Sequence, residues 1–264
     1  MRPAEPRLKR LPGRDSFPWM SAPRPSSVEA VPASGLPGSA AAPLDVLRLG
    51  ETAYDDALAL QRRLLEERRL GQRPDTLVLL SHPPVVTVGR GGGAQHVLLS
   101  AEQLAARGIE LRETDRGGDV TFHGPGQVVG YAILDLGVHG RDLHRFLRRM
   151  EEAVLRALAI VGVEGRREPG LTGVWVGDRK VCAIGIKVSR WISMHGFALN
   201  VATDLSFFDV IVPCGIADRG VTSLAMALGR APELIEVEDR FVDHFARVFE
   251  REVTGVRPPL LSRT

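Results

Sequence analysis

Apolar side chains at Tyr54, Ala57, Leu58, Leu64 and Leu65 recur at three- and four-residue steps, with Arg62, Arg63, Glu66 and Glu67 between them. That spacing predicts an amphipathic helix behind Thr52. Short β-branched runs at 76–81 and 85–88, separated by His82-Pro83-Pro84, predict two strands. Ser100 followed by Gln103 reads as a capping box that opens a short helix, with Gly108 able to end it. Residues 109–114 and 127–136 predict strands on either side of a glycine-dense loop.

Asp142 is placed to cap a helix whose Leu143, Phe146, Leu147, Met150, Val154 and Leu158 share one face. Three further strand-like runs follow at 174–176, 180–188 and 191–201, with Gly177-Asp178 as a tight turn, and a last helix pattern covers 234–249. Helices and strands alternate without a regular βαβ rhythm and without an internal repeat. The expected class is therefore α+β, a mixed or mainly antiparallel sheet with packed helices.

The first 43 residues break this pattern. They hold nine of the chain's 18 prolines, with six basic and three acidic residues, and show neither helix nor strand period. Such a stretch cannot bury enough apolar surface to offset its ordering, so 1–43 is expected to be a disordered extension. Its prolines oppose an amphipathic transit helix, and no signal-like apolar stretch is present. An overlong start or an idle tail is the plainest expectation, with Met20 as a candidate internal start. A catalytic domain at 44–250 and a C-terminal tail at 251–264 complete the expected organisation.

Over 264 residues, 34 Lys and Arg against 32 Asp and Glu give a formal charge of +2, which opposes a wholly basic nucleic-acid binder. No run approaches the roughly 18 apolar residues of a membrane span. Two cysteines cannot build a disulfide framework and point to a reducing, cytoplasmic compartment. The seven histidines show no metal-binding spacing, and no phosphate-cradling motif or serine nucleophile elbow occurs. No cofactor is expected.

Three constellations carry chemistry. Residues 116–127 pack four glycines and a proline around Arg116, Asp119, Thr121 and His123, a backbone able to approach a ligand closely. In the strand at 180–188, two-residue alternation puts Lys180 on one face with Cys182, Ile184 and Ile186. A lysine on such a face either snorkels to water or is held inside for its charge. Cys214 stands between Pro213 and Gly215, which predicts a sharp turn. A thiol there needs an activating partner. A lysine about 4 Å from a thiolate contributes roughly 4 kcal/mol at an effective dielectric of 20, sufficient to make the thiolate the resting form.

Residues 116–127, Thr172-Gly173-Val174-Trp175, 179–185, 195–200, and 211–216 followed by Val221-Thr222-Ser223-Leu224 resemble, in order, the lipoyl(octanoyl) transferases. The likeness runs from about Leu44 to Phe249. It implies the fold of the biotin and lipoate protein ligase catalytic domains, and octanoyl transfer from acyl carrier protein to a lysine of a lipoyl domain through an enzyme thioester. Cys214 matches the family's nucleophile and Lys180 its activating lysine. Arg116, Gly117, Gly118, Asp119, Val120, Thr121, Phe122 and His123, with Ala183, Ile184 and Gly185, and Gly196, Phe197 and Ala198, match its acyl-contacting segments. Phe122 stands where a tyrosine is common.

The implied partners are octanoyl-acyl carrier protein as donor, and the lipoyl domains of 2-oxoacid dehydrogenase complexes and the glycine cleavage H protein as acceptors, with a monomer expected. An octanoyl chain brings about six methylenes, worth roughly 5 kcal/mol when buried. Gly117, Gly118, Gly185, Gly196 and Ala198 would leave it space. Arg90, Arg116, Lys187 and Arg190 are candidates to meet the acidic carrier. Cys182 is a candidate for a reversible disulfide with Cys214, against the plainer reading of an inert core thiol. The rivals are an ATP-dependent lipoate or biotin ligase of the same fold, and a non-catalytic module that binds carrier or lipoyl domains.

Overall fold

The computed structural model describes residues 41–212 and 219–257. Residues 1–40, including most of the expected extension, lie outside the described residues, as do 213–218 with Cys214. Among the described residues, eight strands form one sheet in the order β11-β1-β2-β6-β10-β9-β8-β7, and three form a smaller sheet, β4-β3-β5.

The chain enters through β1 (Ala42–Glu51), helix α1 (Tyr54–Arg69) and β2 (Asp75–Ser81). It then builds the small sheet from β3 (Val85–Val88), β4 (Glu110–Glu113) and β5 (Val120–His123), with helix α2 (Ala101–Ala105) between β3 and β4. The large sheet resumes with β6 (Gln127–Ile133), crosses the long helix α3 (Leu143–Ile160), and continues through β7 (Arg166–Glu168), β8 (Leu171–Val176), β9 (Arg179–Ser189) and β10 (Ile192–Asn200). Helices α4 (Leu224–Leu228) and α5 (Leu234–Phe249) lead to β11 (Arg251–Arg257).

Local chemistry sets the helix ends. Ser100 and Gln103 form the expected reciprocal capping box at α2, and the Asp142 carboxylate accepts from the Arg145 N–H at the start of α3. Helix α3 then buries Phe146, Met150, Ala153, Val154, Ala157 and Leu158 on one face. With α5 it covers one side of the large sheet, in a core that includes Leu79, Val128, Phe197, Leu199 and Phe245. Helix α1 covers the other side over Val78, Val129, Ile133 and Ala198. Covered on both faces, β6 is buried throughout.

Two boundaries differ from the sequence reading. The residues expected to begin a tail form β11, which pairs in parallel with β1, from Ala42 opposite Arg251 to Leu47 opposite Arg257. Buried Asp75 explains why this edge holds. Its carboxylate accepts from Arg68 of α1 at 2.7 Å and from Arg251 of β11 at 2.9 Å. Within the glycine-dense stretch, Val120–His123 is a buried strand rather than loop, paired antiparallel with β3.

A third difference lies in β9. Val174 pairs with Cys182 and Trp175 with Lys180, leaving Val181 as the extra residue of a bulge. The bulge interrupts the two-residue alternation. Lys180 therefore does not share a face with Cys182: it borders a cavity with Ala183 and Gly185, while Cys182 is fully buried in the core beneath α3 and α5.

Candidate active site

Between the two sheets lies a cavity of about 350 Å³, within the size range of small-molecule sites. Its floor is the ladder in which Ala183 faces Ala198 and Gly185 faces Gly196. Small residues here leave a trough on a sheet face that larger ones would fill. Its roof is β5 with the preceding turn, where Thr121, His123, Arg116, Gly118 and Asp119 line the space. Close backbone contact explains the glycines. A Cβ on Gly185 would stand 2.7 Å from the Gly117 carbonyl oxygen, and one on Gly196 2.1 Å from that of Gly130.

Thirteen of the sixteen expected site residues border this cavity: Arg116, Gly118, Asp119, Val120, Thr121, His123, Lys180, Ala183, Ile184, Gly185, Gly196, Phe197 and Ala198. Phe197 borders it while its ring packs on Phe241, centroids 4.3 Å apart, on the α5 side of the sheet. Gly117 supports the wall from behind, its N–H donating to the Ile186 carbonyl at 2.8 Å. Phe122 does not line the cavity. The alternation of β5 sends its ring the other way, stacked on Phe207 at 4.9 Å in the core of the small sheet. Cys214, the sixteenth, lies outside the described residues.

Lys180 is buried to 8 % exposure at one end of the cavity. Its ammonium lies over the Trp175 ring, 5.0 Å from the centroid, and its aliphatic stem passes beside Gly173. Its backbone N–H donates to the Gly220 carbonyl at 3.1 Å, and its carbonyl accepts from Thr222 at 2.9 Å. On the other side of the 213–218 stretch, Val212 donates to the His96 carbonyl at 2.8 Å. The Arg219 guanidinium also faces Trp175, at 5.5 Å.

His123 is held by a chain of amides. Its Nδ1–H donates to Gln127 Oε1 at 2.9 Å, and Gln127 Nε2 donates in turn to Asn200 Oδ1 at 2.9 Å. Asn200 then donates to the Thr222 carbonyl at 3.0 Å. Burial, with the positive charge of Arg116 and neighbouring His82, pushes the His123 pKa down to about 3, so the ring is neutral and Nε2 keeps its lone pair. Arg116 is anchored rather than presented to solvent: its guanidinium donates to the Thr87 carbonyl at 2.9 Å and hydroxyl at 2.8 Å.

Asp115, just before the roof, accepts from Lys187 Nζ at 2.5 Å and from His195 Nε2–H at 2.9 Å. Partial burial would raise its pKa, but these two bonds hold it at about 2. Of the four cations expected to meet a carrier, Arg116 and Lys187 are thus engaged inside the protein, while Arg90 and Arg190 are exposed. The Cys182 thiol donates to its neighbour's carbonyl at 3.6 Å, and burial pushes its pKa far above the ordinary thiol range against the pull of Lys180. That is the chemistry of an inert core thiol, as in the plainer of the two sequence readings.

The sequence reading missed Tyr54, Tyr131 and His195 as lining residues. A signal existed for two of them: His195 opens a motif block, and Tyr131 is a phenol inside an otherwise apolar strand. Among the described residues, no three His, Cys, Asp or Glu side chains gather as a metal site, and no helix is long and apolar enough to cross a membrane.

A family model of the lipoyl protein ligase A/B catalytic domain matches residues 53–246. The chain belongs to this family. An octanoyltransferase from Rubrobacter xylanophilus is 57% identical over 217 residues, covering 81% of this chain and 95% of that protein. An octanoyltransferase from Chloroflexus aurantiacus is 52% identical over 212 residues, covering 79% and 95%. Among solved structures, a lipoate-protein ligase A bound with ATP superposes with a TM-score of 0.65 at 18% identity, covering 81% of this chain and 89% of that one. This likeness establishes the ligase-type fold expected from the sequence.

Proposed function

We infer that this chain is an octanoyltransferase: it moves an octanoyl group from a carrier-protein thioester to a lysine amine of a lipoyl domain. The observation that carries this reading is the identity of more than half of aligned residues to proteins of that name, over nearly their whole length. The site is compatible with it. An apolar trough floored by alanine and glycine suits an unbranched acyl chain, and a buried lysine stands at its end.

We assign Cys214 as nucleophile. Its thiolate attacks the carrier thioester carbonyl, the tetrahedral adduct collapses, and the phosphopantetheine thiolate leaves with a proton from Lys180. The lipoyl-domain amine then attacks the Cys214 thioester, gives up a proton, and the amide forms as the cysteine thiolate departs. Lys180 supplies the positive charge, gives its proton to the departing thiolate in the first half and takes up the amine's proton in the second. His123, neutral and fixed through Nδ1, keeps a lone pair on Nε2, 3.4 Å from the Thr87 hydroxyl, that can exchange this weak contact for the incoming ammonium or amine. Thioester exchange is nearly isoenergetic and amide formation is downhill, so ATP has no part in this scheme.

Carrier protein and lipoyl domains are its partners in this reading, and the reducing cytoplasm is a compartment compatible with two cysteines. Incubation with octanoyl carrier protein, followed by intact-mass and peptide measurement, should find one octanoyl adduct on Cys214. Cys214→Ser should abolish both adduct and transfer. Activity that persists in this variant, or that demands ATP, would point instead to the ligase chemistry of the structural relatives.

A further inference from the structure

The end of the cavity away from Lys180 is built of aromatic rings whose polar atoms are already engaged. Tyr54, at the start of α1, and Tyr131, on β6, both line the cavity and are 3 and 4 % exposed. The Tyr54 hydroxyl donates to Thr114 Oγ1 at 3.0 Å. The Tyr131 hydroxyl donates to His82 Nε2 at 2.7 Å, and His82 Nδ1–H donates onward to the Thr52 carbonyl at 2.6 Å. His195, 6.4 Å from the Tyr131 ring, gives its Nε2–H to Asp115. With these bonds made, the rings have no proton left to donate and present mainly carbon to the lumen.

The ladder places this wall relative to the reactive end. Tyr131 faces Gly196, which faces Gly185, five residues along β9 from Lys180 and two strands across. At 3.3 Å per residue and 4.8 Å per strand, with the bulge at Val181 taking up one residue, the Cα atoms are roughly 16 Å apart. Side chains stand roughly perpendicular to a sheet, so most of that span remains open along the trough for a medium acyl chain.

We propose that Tyr54 and Tyr131 are the end stop of the acyl slot: they meet the terminal methyl, set the upper chain length, and reject chains ending in a hydroxyl or carboxyl group. The proposal rests on the octanoyltransferase reading for the direction in which the chain lies. A longer chain must displace a ring, and a polar terminus would exchange water for a wall whose hydroxyl and imidazole protons are already given away.

The test is a chain-length profile. kcat/KM is measured with carrier-bound acyl groups of six, eight, ten and twelve carbons, and with the ω-hydroxy form of the eight-carbon chain, for the unaltered protein and for Tyr54→Ala, Tyr131→Ala and Tyr54→Phe. The unaltered protein should prefer eight carbons to twelve, and should disfavour the ω-hydroxy chain about tenfold or more. In the alanine variants the twelve-to-eight ratio should rise at least tenfold, while Tyr54→Phe keeps the original optimum. A uniform fall at every length, with the profile unmoved, would overturn the proposal.

Thermal-shift binding of free octanoate and dodecanoate by the same proteins, with leucine variants where alanine ones do not fold, reads the stop without turnover. Reversal of the preference in the variants supports it, and an unchanged preference refutes it. Failure of the unaltered protein to transfer any acyl group would instead count against the function, and the binding series would still decide the end stop.

Discussion

Gly173 lies against the side chain of Lys180: a methyl group added to its Cα would stand 3.4 Å from Lys180 Cε and 2.6 Å from the Cys182 carbonyl oxygen. Its φ of +126° is one that side-chain-bearing residues rarely adopt. Behind it, Glu151 of α3, itself 1 % exposed, accepts from the Gly173 N–H at 3.1 Å. Gly173→Ala should therefore displace the ammonium as well as strain the backbone. We expect a loss of about 1–3 kcal/mol in stability and about a hundredfold in transfer rate. Denaturant unfolding and steady-state kinetics measure the two, and a variant of full activity would mean that Lys180 does not depend on this contact.

Removing the charge while keeping the bulk separates electrostatics from packing at the same position. In Lys180→Met, alkylation of Cys214 by iodoacetamide at pH 7 should slow at least tenfold, since about 1.4 kcal/mol of lost charge stabilisation lowers the thiolate fraction by that factor. Equal alkylation rates with and without the lysine charge would remove Lys180 from the activation of the thiol.

The amide chain behind His123 predicts a stability effect. In Gln127→Leu both the His123 Nδ1–H and Asn200 Oδ1 lose their partner inside the protein. Two unsatisfied buried groups should destabilise the fold by roughly 2–5 kcal/mol. Gln127→Glu keeps an acceptor for His123 but loses the donor to Asn200, so it should fall between. Urea midpoints that do not move would show that water satisfies both groups.

Two buried histidines should make the fold sensitive to mild acid. Burial lowers His82 to about 4, and burial with nearby positive charge lowers His123 to about 3, against an ordinary value near 6.5. Between those limits the unfolded chain binds the protons and the folded chain does not, so stability present above pH 6.5 is lost as pH falls toward 4 and then 3. At pH 5 the loss should be roughly 2 kcal/mol for each ring. Asp115, held at about 2, adds its own loss only below the ordinary carboxylate value near 3.8. Unfolding midpoints at pH 7 and pH 5 decide the matter, and a flat profile would mean that the imidazoles already reach water.

What the sequence discloses follows from how local each signal is. The caps at Ser100 and Asp142, the apolar stripe of α3 and the strand-like runs of β9 and β10 are written within a few residues and were legible, whereas the bulge at Val181 that breaks the period-two pattern of β9 was not. The β1–β11 pairing was not, because Ala42 sits beside proline-rich sequence and its partner Arg251 lies about 200 residues on. β5 was concealed by its glycine-rich flanks. For the site, the motif blocks pointed to most residues of the trough, yet not to Gly91, Gly170 or Leu171, nor to which of their own residues turn away from it. Phe122 leaves by strand alternation, and Tyr54 and Tyr131 enter through contacts with Thr114 and His82 that are 60 and 49 positions distant.

The one-residue bulge at Val181 has a consequence for the catalytic apparatus as a whole. Chemical identity at this wall is a matter of parity: Val181 and Cys182 both enter the core, so a strand of unchanged length that alternated regularly back from Ala183 would carry the amine into the packed interior and Val181 to the lumen. Excision of the one valine would instead leave the cation at the lip of the trough and the sulfur in the core, whereas a redesign that straightens this strand without shortening it would bury the charge by accident.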